Sequence, residues 1–565
     1  MSANLRVLIV GGVACGPKTA ARLKRIMPEA EITMVEKGAM VSYGACGLPY
    51  YVEGTFTNIN ALTHTPAGVS RTPEFFRTWK GFETLTRTEA MVIDRETKSV
   101  RVRNRDTAEE RTLPYDKLVL ATGGEAFRPP IPGIDLDHVW FMTHPDDAAS
   151  LVAVVEQRGL KKAVLVGAGF IGLEMAEALV NKGLDVTMVE MMGQIMPGII
   201  DEDIARMSQR HLEDNDVALV LGERVTALEG NGRVRRVVTN RQSIEADLVV
   251  IGVGTRPNDR LAREAGLACD GGIIVNANGQ TSDPDIYAGG DCVRNQFVHR
   301  LVDERLFVPL GSTANKHGRV IANHIAGRPT PFSGIGCSSI VRAFDFTIGR
   351  TGVTETMARR LNIDYAVTTW SGQDKPHYME GSRLFAIKML ASRRDRKVLG
   401  VQVAGMGDGA KRLDAAASAI YFGATLDQLA DIDFGYAPPY SPPIDPLAVC
   451  AHVLTNKLDG LADGIGPLQA KAQMDAGGCL LLDVRIEDEA KMEWIPHTDR
   501  VHIPLDQLRE RFDELPRDTP ILTYCKVSMR GYEAQRILNA EGFDNVRFVE
   551  GGVAAWPFET DMPGL

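Results

Sequence analysis

Eight cysteines, at positions 15, 46, 269, 292, 337, 450, 479 and 525, are spread along the chain without zinc-like pairing. A cysteine does chemistry as its thiolate, so the informative ones are those whose surroundings favour the anion. Two stand out. Cys46 is followed by Gly47-Leu48-Pro49, a sequence that lets backbone approach a flat ligand closely beside the thiol. Cys525 closes the apolar run 520–524 and opens the loop Lys526-Val527-Ser528-Met529-Arg530-Gly531, ahead of a helical pattern over 532–541. A cysteine between a strand end and a helix is ringed by backbone N–H donors, a setting that favours an anionic persulfide. Most of the remaining cysteines read as small buried hydrophobes of a reducing compartment.

The elements that must position these thiols begin with two glycine turns. The apolar run 5–10 ends in Gly11-Gly12-Val13-Ala14-Cys15-Gly16, followed by a helical pattern over 19–26 and a strand, Glu31–Val35, ending at Glu36. This is a βαβ unit whose helix N-terminus can hold a pyrophosphate, with an acid placed for a ribose hydroxyl. Val13 stands where a middle glycine would be. The run 162–166 leads into Gly167-Ala168-Gly169-Phe170-Ile171-Gly172, a helix through 179 and a strand over 185–189 ending at Glu190. All three glycines are present in this second unit. Glu190 would accept a 2′-hydroxyl and repel a 2′-phosphate, which favours NADH over NADPH. Two such units imply two dinucleotides, a flavin and a nicotinamide. Thr122 and Gly123 close the strand-turn segment 118–123, and Asp291 follows a glycine turn in 281–291, where it could bind a ribityl hydroxyl. Gly254, within 252–258, marks the return from the second unit to the first.

At about 150 residues per domain, 565 residues make three or four domains. A composition of 44% hydrophobic and 24% charged residues excludes a mainly disordered chain. With 63 basic against 73 acidic residues, the net charge of −10 gives nucleic acid no basic face to bind. The apolar runs are strand-sized and too short for a bilayer. The N-terminal MSANLRVLIVGG enters a strand directly, so no cleavable signal and a cytoplasmic location are expected. No metal-ligand cluster stands out.

On these motifs, residues 1–455 resemble the two-dinucleotide flavin disulfide reductase superfamily. Ser42-Tyr43-Gly44-Ala45-Cys46-Gly47-Leu48-Pro49-Tyr50-Tyr51 resembles its coenzyme A-disulfide reductase and persulfide reductase branch, which carries one redox cysteine where glutathione reductases have a C-x4-C pair. Here position 51 is Tyr51. The resemblance implies FAD and NADH as cofactors and Cys46 as the redox thiol, its pKa lowered by a helix N-terminus and the flavin. It also implies a dimerisation domain in which tyrosines of the partner subunit reach that thiol, with Tyr378 and Tyr436 the candidates by motif position. Tyr440 belongs to the same proline-stiffened segment, 436–443. The expected assembly is a homodimer with shared active sites. Arg22, Arg25, Ser42 and Lys80 match positions that contact the nucleotide end of coenzyme A, so coenzyme A is an expected ligand. Three residues depart from the family pattern: Ala45 for a frequent asparagine, Ile444 for a frequent lysine, and Cys15 for a glycine in the first turn.

After a glycine- and aspartate-rich stretch, residues 467–565 resemble a rhodanese domain. The resemblance rests on Asp483-Val484-Arg485, His502-Ile503-Pro504, the 525–530 loop and Gly551-Gly552-Val553-Ala554-Ala555-Trp556. It implies that Cys525 carries sulfane sulfur and that Arg530 adds positive charge at the loop's edge. The expected fold is α/β: two Rossmann-like dinucleotide-binding domains, an α+β dimerisation domain and a C-terminal rhodanese α/β domain. Their bounds are FAD-binding at 1–125 and 255–330, NADH-binding at 126–254, dimerisation at 331–455, a linker at 456–466 and rhodanese at 467–565. The expected activity is NADH-driven, FAD-dependent reduction of persulfide or polysulfide to sulfide through Cys46, with coenzyme A persulfide a candidate substrate. The alternatives are a coenzyme A-disulfide reductase, an NADH oxidase or peroxidase working through a Cys46 sulfenic acid, and a non-enzymatic redox-sensing module.

Overall fold

The computed structural model describes residues 4–156, 159–298, 302 and 305–562. They form two compact units, one of residues 1–189 with 224–335, the other of 190–223 with 336–565.

The first unit is built on two parallel sheets. In one, Ile286–Ala288, Lys117–Leu120, Arg6–Val10, Glu31–Val35 and Glu83–Leu85 lie side by side in that order. Its central strands are apolar on both faces because both are covered, one by the helix Cys15–Ile26 and the other by the antiparallel strands Thr88–Asp94 and Ser99–Asn104 with the short helix Arg260–Glu264. Val7, Ile9 and Met34 pack towards the helix Cys15–Ile26, and Leu8, Val10 and Leu118 towards the opposite face. In the other sheet Asp185–Glu190, Lys162–Val166, Leu248–Ile251 and Val139–Trp140 are parallel neighbours. An antiparallel ribbon, Gly124–Ala126 with Thr255–Pro257, carries the chain out of the first sheet and back. The helix Cys15–Ile26 starts four residues before the periodic pattern does, since the glycine turn ends directly in its first turn.

The second unit holds an antiparallel sheet in the order Ser339–Ala343, Phe346–Gly352, Val398–Gly405, Leu384–Ser392, Tyr365–Gln373. The helices Gly409–Phe422 and Pro446–Leu458 pack on it. Its C-terminal sheet is parallel, in the order Gly464–Ile465, Val546–Val549, Ile521–Tyr524, Leu480–Asp483, Arg500–His502. Residues 456–466, expected as a linker, are folded. The helix Pro446–Leu458 runs into this stretch, and Gly464–Ile465 is the edge strand of the C-terminal sheet. Its glycines and aspartates follow the end of that helix and lead into that strand. Among the described residues no helix is long and apolar enough to cross a membrane.

Candidate functional site

The first glycine turn leaves no room for side chains. A Cβ on Gly11 would lie 2.0 Å from the Ala121 carbonyl oxygen, and one on Gly16 1.9 Å from that of Gly11. Gly11 also has φ +113°, which disfavours an L side chain. The turn is closed by Glu36, whose carboxylate accepts the backbone N–H of Gly12 and of Gly38, each at 2.8 Å. Each carboxylate oxygen retains a lone pair for a ribose hydroxyl. Val13 is half-buried in the turn. In the second glycine turn Gly167 has φ +101° and a Cβ on Gly172 would lie 2.2 Å from the Gly167 carbonyl oxygen, while Gly169 caps the helix Phe170–Asn181. Glu190 ends its strand, its carboxylate accepting the Met192 N–H at 2.8 Å. Thr122 donates to the Asn258 carbonyl at 2.6 Å, the Gly123 carbonyl accepts the Asn258 N–H, and the Gly254 carbonyl accepts the Phe127 N–H. These bonds fasten the ribbon beside the first sheet. The close-packed glycine cradles and the strand-end acids fit FAD and NADH.

Cys46 is an exposed free thiol in a three-residue turn, Ala45–Gly47, ahead of the short helix Leu48–Glu53. The expected lowering of its pKa does not come from the chain. Partial desolvation by the surrounding turn, then the carboxyls of Glu174 and Asp291, push the Cys46 thiol up, and a helix this short has little dipole to offset them. Glu174 lies on the helix Phe170–Asn181, 3.5 Å from the Tyr50 hydroxyl. Burial pushes its carboxyl up to about 7, and that of Asp291 up to about 6. Glu174 carries no motif signal beyond its place two residues after Gly172, and sequence reasoning missed it. His317, also missed, is buried and accepts the Gly290 N–H at Nδ1 (3.1 Å), which fixes the turn before Asp291. Burial lowers its pKa to about 4, so the imidazole stays neutral and able to accept.

Cys15 is buried, and a Cβ on Gly289 would lie 2.8 Å from its sulfur. Burial pushes its thiol far up. It is a packing residue where helix Cys15–Ile26 meets helix Gly311–Ile325.

The same helix pair forms a basic cluster. Arg22 donates to Asn323 at 2.9 Å. Burial and the nearby guanidinium groups of Arg319, Arg25 and Arg328 all lower its pKa. Four neighbouring arginines, none in an ion pair with an acid among the described residues, suit a phosphate-rich ligand. Arg319 and Arg328 could not be assigned from sequence, because only the helix pairing brings them beside Arg22. Ser42 has φ +53°, donates its N–H to the Gly12 carbonyl and accepts from Arg71 at its own carbonyl. The Lys80 ammonium lies 5.2 Å from the centre of the Phe75 ring.

In the second unit Tyr378, Tyr436, Tyr440 and Ile444 are all exposed. Their two segments share one anchor, the buried Arg412. Its guanidinium donates to the Asp374 carbonyl (3.2 Å), Ser441 Oγ (3.0 Å) and the Asp445 carboxylate (3.2 Å). Arg412 therefore holds the start of the 374–378 turn and the end of the 436–445 loop together.

Cys525 is fully buried at the end of the strand Ile521–Tyr524. Its carbonyl accepts the Val553 N–H (3.0 Å), and Ser528 Oγ accepts the Gly551 N–H (2.6 Å). The loop is thus tied to the 551–553 turn. That turn is tied in turn to the antiparallel sheet: Glu550, 2% exposed, accepts from Thr368 Oγ1, the Thr369 N–H and Lys457 Nζ, and Ser371 Oγ donates to the Gly551 carbonyl. Arg530 reaches Cys525 and also forms a two-pronged ion pair with Glu489, at 2.6 and 2.9 Å. Beneath the loop, Asp483 accepts from Arg485, Arg500 and Tyr524. These donors hold its carboxyl down at about 2 although burial opposes them.

Comparison with known proteins gives three family matches: "Pyridine nucleotide-disulphide oxidoreductase" over residues 5–306, its dimerisation domain over 338–447, and "Rhodanese-like domain" over 467–558. Among curated relatives, the chain is 35% identical over 451 residues to the "NAD(P)H sulfur oxidoreductase (CoA-dependent)" of Pyrococcus furiosus, covering 80% of this chain and 99% of that one. Among solved structures, a NAD-dependent persulfide reductase from A. fulgidus superimposes with TM-score 0.93 at 40% identity, covering 98% of this chain and all of that one. The reduced CoADR-RHD of Bacillus anthracis does so with TM-score 0.91 at 34% identity, covering 98% of each chain.

Proposed function

From a chain that belongs to the pyridine nucleotide-disulphide oxidoreductase family and ends in a rhodanese domain, we propose a cytoplasmic, homodimeric, NADH-driven reductase of persulfide and polysulfide sulfur. The observation that carries this reading is one chain holding both an exposed lone thiol, Cys46, in the dinucleotide-binding unit and a buried loop cysteine, Cys525, in the rhodanese.

Bound FAD supplies the two-electron link between NADH and a thiol; Gly11, Gly12, Val13, Gly16, Glu36, Thr122, Gly123 and Asp291 are its proposed contacts. Gly167, Gly169, Gly172, Glu190 and Gly254 are those of NADH. The Cys46 thiolate attacks the inner sulfur of a persulfide R–S–SH. A Cys46–S–S–R bond forms, the terminal S–S bond breaks, and hydrosulfide leaves with the electron pair. Two electrons originating in NADH and one proton then convert the mixed disulfide to the thiolate and R–SH. Tyr378 and Tyr436 of the partner subunit supply hydrogen bonds or that proton, with Tyr440 beside them. R is coenzyme A, its phosphates held by Arg22 and Arg25 with Arg319 and Arg328, and by Ser42 and Lys80. Cys525 carries sulfane sulfur to or from this cycle, with Arg530 at its side.

Anaerobic stopped-flow of the NADH-reduced protein tests this. Flavin reoxidation by coenzyme A persulfide should outpace that by coenzyme A disulfide and release stoichiometric sulfide; the reverse order would make the protein a thiol-pool reductase. Cys46→Ser should abolish NADH-dependent sulfide release.

A further inference from the structure

The cation beside the Cys525 loop is already neutralised. Arg530 spends two N–H groups on the Glu489 carboxylate, and both side chains are less than a third exposed. Glu489 stands in the first turn of the helix Glu487–Met492 with Glu487 and Asp488, so this helix brings more negative than positive charge to the loop. Glu487 is taken up by Lys491 and Glu489 by Arg530. The neighbouring surface side chains Ile486, Met492 and Met529 are exposed and apolar. Lys526, also exposed, is the loop's other cation. Arg530 holds the Glu489 carboxyl below the usual range, so the pair stays ionised through neutral pH.

Sulfur donors differ in the charge they bring to such a loop. With a thiol persulfide, the Cys525 thiolate attacks the terminal sulfur of R–S–SH. The S–S bond of the persulfide breaks, R–S⁻ leaves with the electron pair, and Cys525–S–SH remains. With thiosulfate, the thiolate attacks the outer sulfur of a dianion. The S–S bond breaks and sulfite leaves as a second dianion, with Cys525–S–S⁻ remaining. That route needs net positive charge beside the sulfur, and Arg530, which reaches Cys525, has its charge cancelled and two of its five N–H groups taken by Glu489. We propose that Glu489 sets the donor specificity of the Cys525 site, favouring thiol persulfides and excluding thiosulfate by occupying Arg530. The inference rests on Cys525 being a sulfur carrier.

The test uses the full-length holoenzyme without NADH, with cyanide as acceptor and glutathione persulfide or thiosulfate as donor. In the wild type, kcat/KM for the persulfide should far exceed that for thiosulfate. Glu489→Gln should raise the thiosulfate-to-persulfide ratio about tenfold, as expected for removing one opposing charge at a partly buried anion site. The thiosulfate KM should then rise with salt. The gain should vanish in Glu489→Gln/Arg530→Gln, showing that it runs through Arg530. Flavin-linked NADH oxidation by the same preparations reports intact protein. An unchanged ratio in Glu489→Gln, or a wild type that uses thiosulfate as well as the persulfide, would overturn the inference while leaving the carrier reading in place. Transfer from both donors surviving in Cys525→Ser would instead overturn the carrier reading beneath it.

Discussion

The Cys46 thiol feels two carboxyls that oppose its ionisation, Glu174 and Asp291. Glu174 has its own carboxyl pushed up to about 7, so the opposition changes with pH. Below that value Glu174 is neutral and leaves the thiol alone; above it, the anion holds the thiolate back. Glu174→Gln should therefore alkylate with iodoacetamide at the wild-type rate near pH 6 and at about three times that rate or more above pH 7, in the NADH-reduced enzyme. Equal rates across the whole range would remove Glu174 from the environment of Cys46. Asp291 raises the thiol less than Glu174 does, and with its carboxyl raised to about 6 its opposition is already present at neutral pH.

At the scale of elements, pairing of helices Cys15–Ile26 and Gly311–Ile325 gathers the basic cluster. It buries Cys15, and it brings Arg319 and, just beyond, Arg328 beside Arg22 and Arg25. Replacing Arg319 and Arg328 together by alanine should weaken coenzyme A binding by tenfold or more, about 1.4 kcal/mol, with a reduced salt dependence in calorimetric titration. Flavin content should not change, because neither residue belongs to the glycine cradle. Binding as tight as in wild type would place the nucleotide end of coenzyme A elsewhere. A comparable economy appears in the antiparallel sheet unit, where the single buried guanidinium of Arg412 holds both tyrosine-bearing segments.

Within the second unit as a whole, the rhodanese sheet is fastened to the antiparallel sheet through Glu550 and Gly551. The fastening continues through Ser528 and Val553 into the Cys525 loop. Lys457→Met leaves Glu550 buried without its cation, at a cost on the order of 3 kcal/mol. Hydrogen exchange should then quicken in 365–373 and 550–555 together, with slower sulfur transfer by Cys525. Faster exchange confined to residues 457–466 would show that the two sheets are held by other contacts.

The sequence by itself determined both glycine turns, the acids at the strand ends, the lone Cys46 and the Cys525 loop. Each is local: a turn requiring φ > 0 or close backbone approach demands glycine at fixed offsets, and a strand end followed by a helix places its next residue predictably. What only the tertiary structure decided was charge and anchorage. The neutralisation of Arg530 by Glu489 spans 41 positions, and Lys457 meets Glu550 across 93. Gly290 leans on His317 across 27 positions, and Glu174 meets Tyr50 across 124. Such pairs leave no periodic trace in the chain, because ion pairing and burial depend on which surfaces meet in space rather than on the spacing of residues along it. The folding of residues 456–466 belongs to the same class: glycine and aspartate mark a break in regular structure but do not tell a tether from an edge strand. That distinction is made by the neighbouring strand, Val546–Val549, which lies far along the sequence.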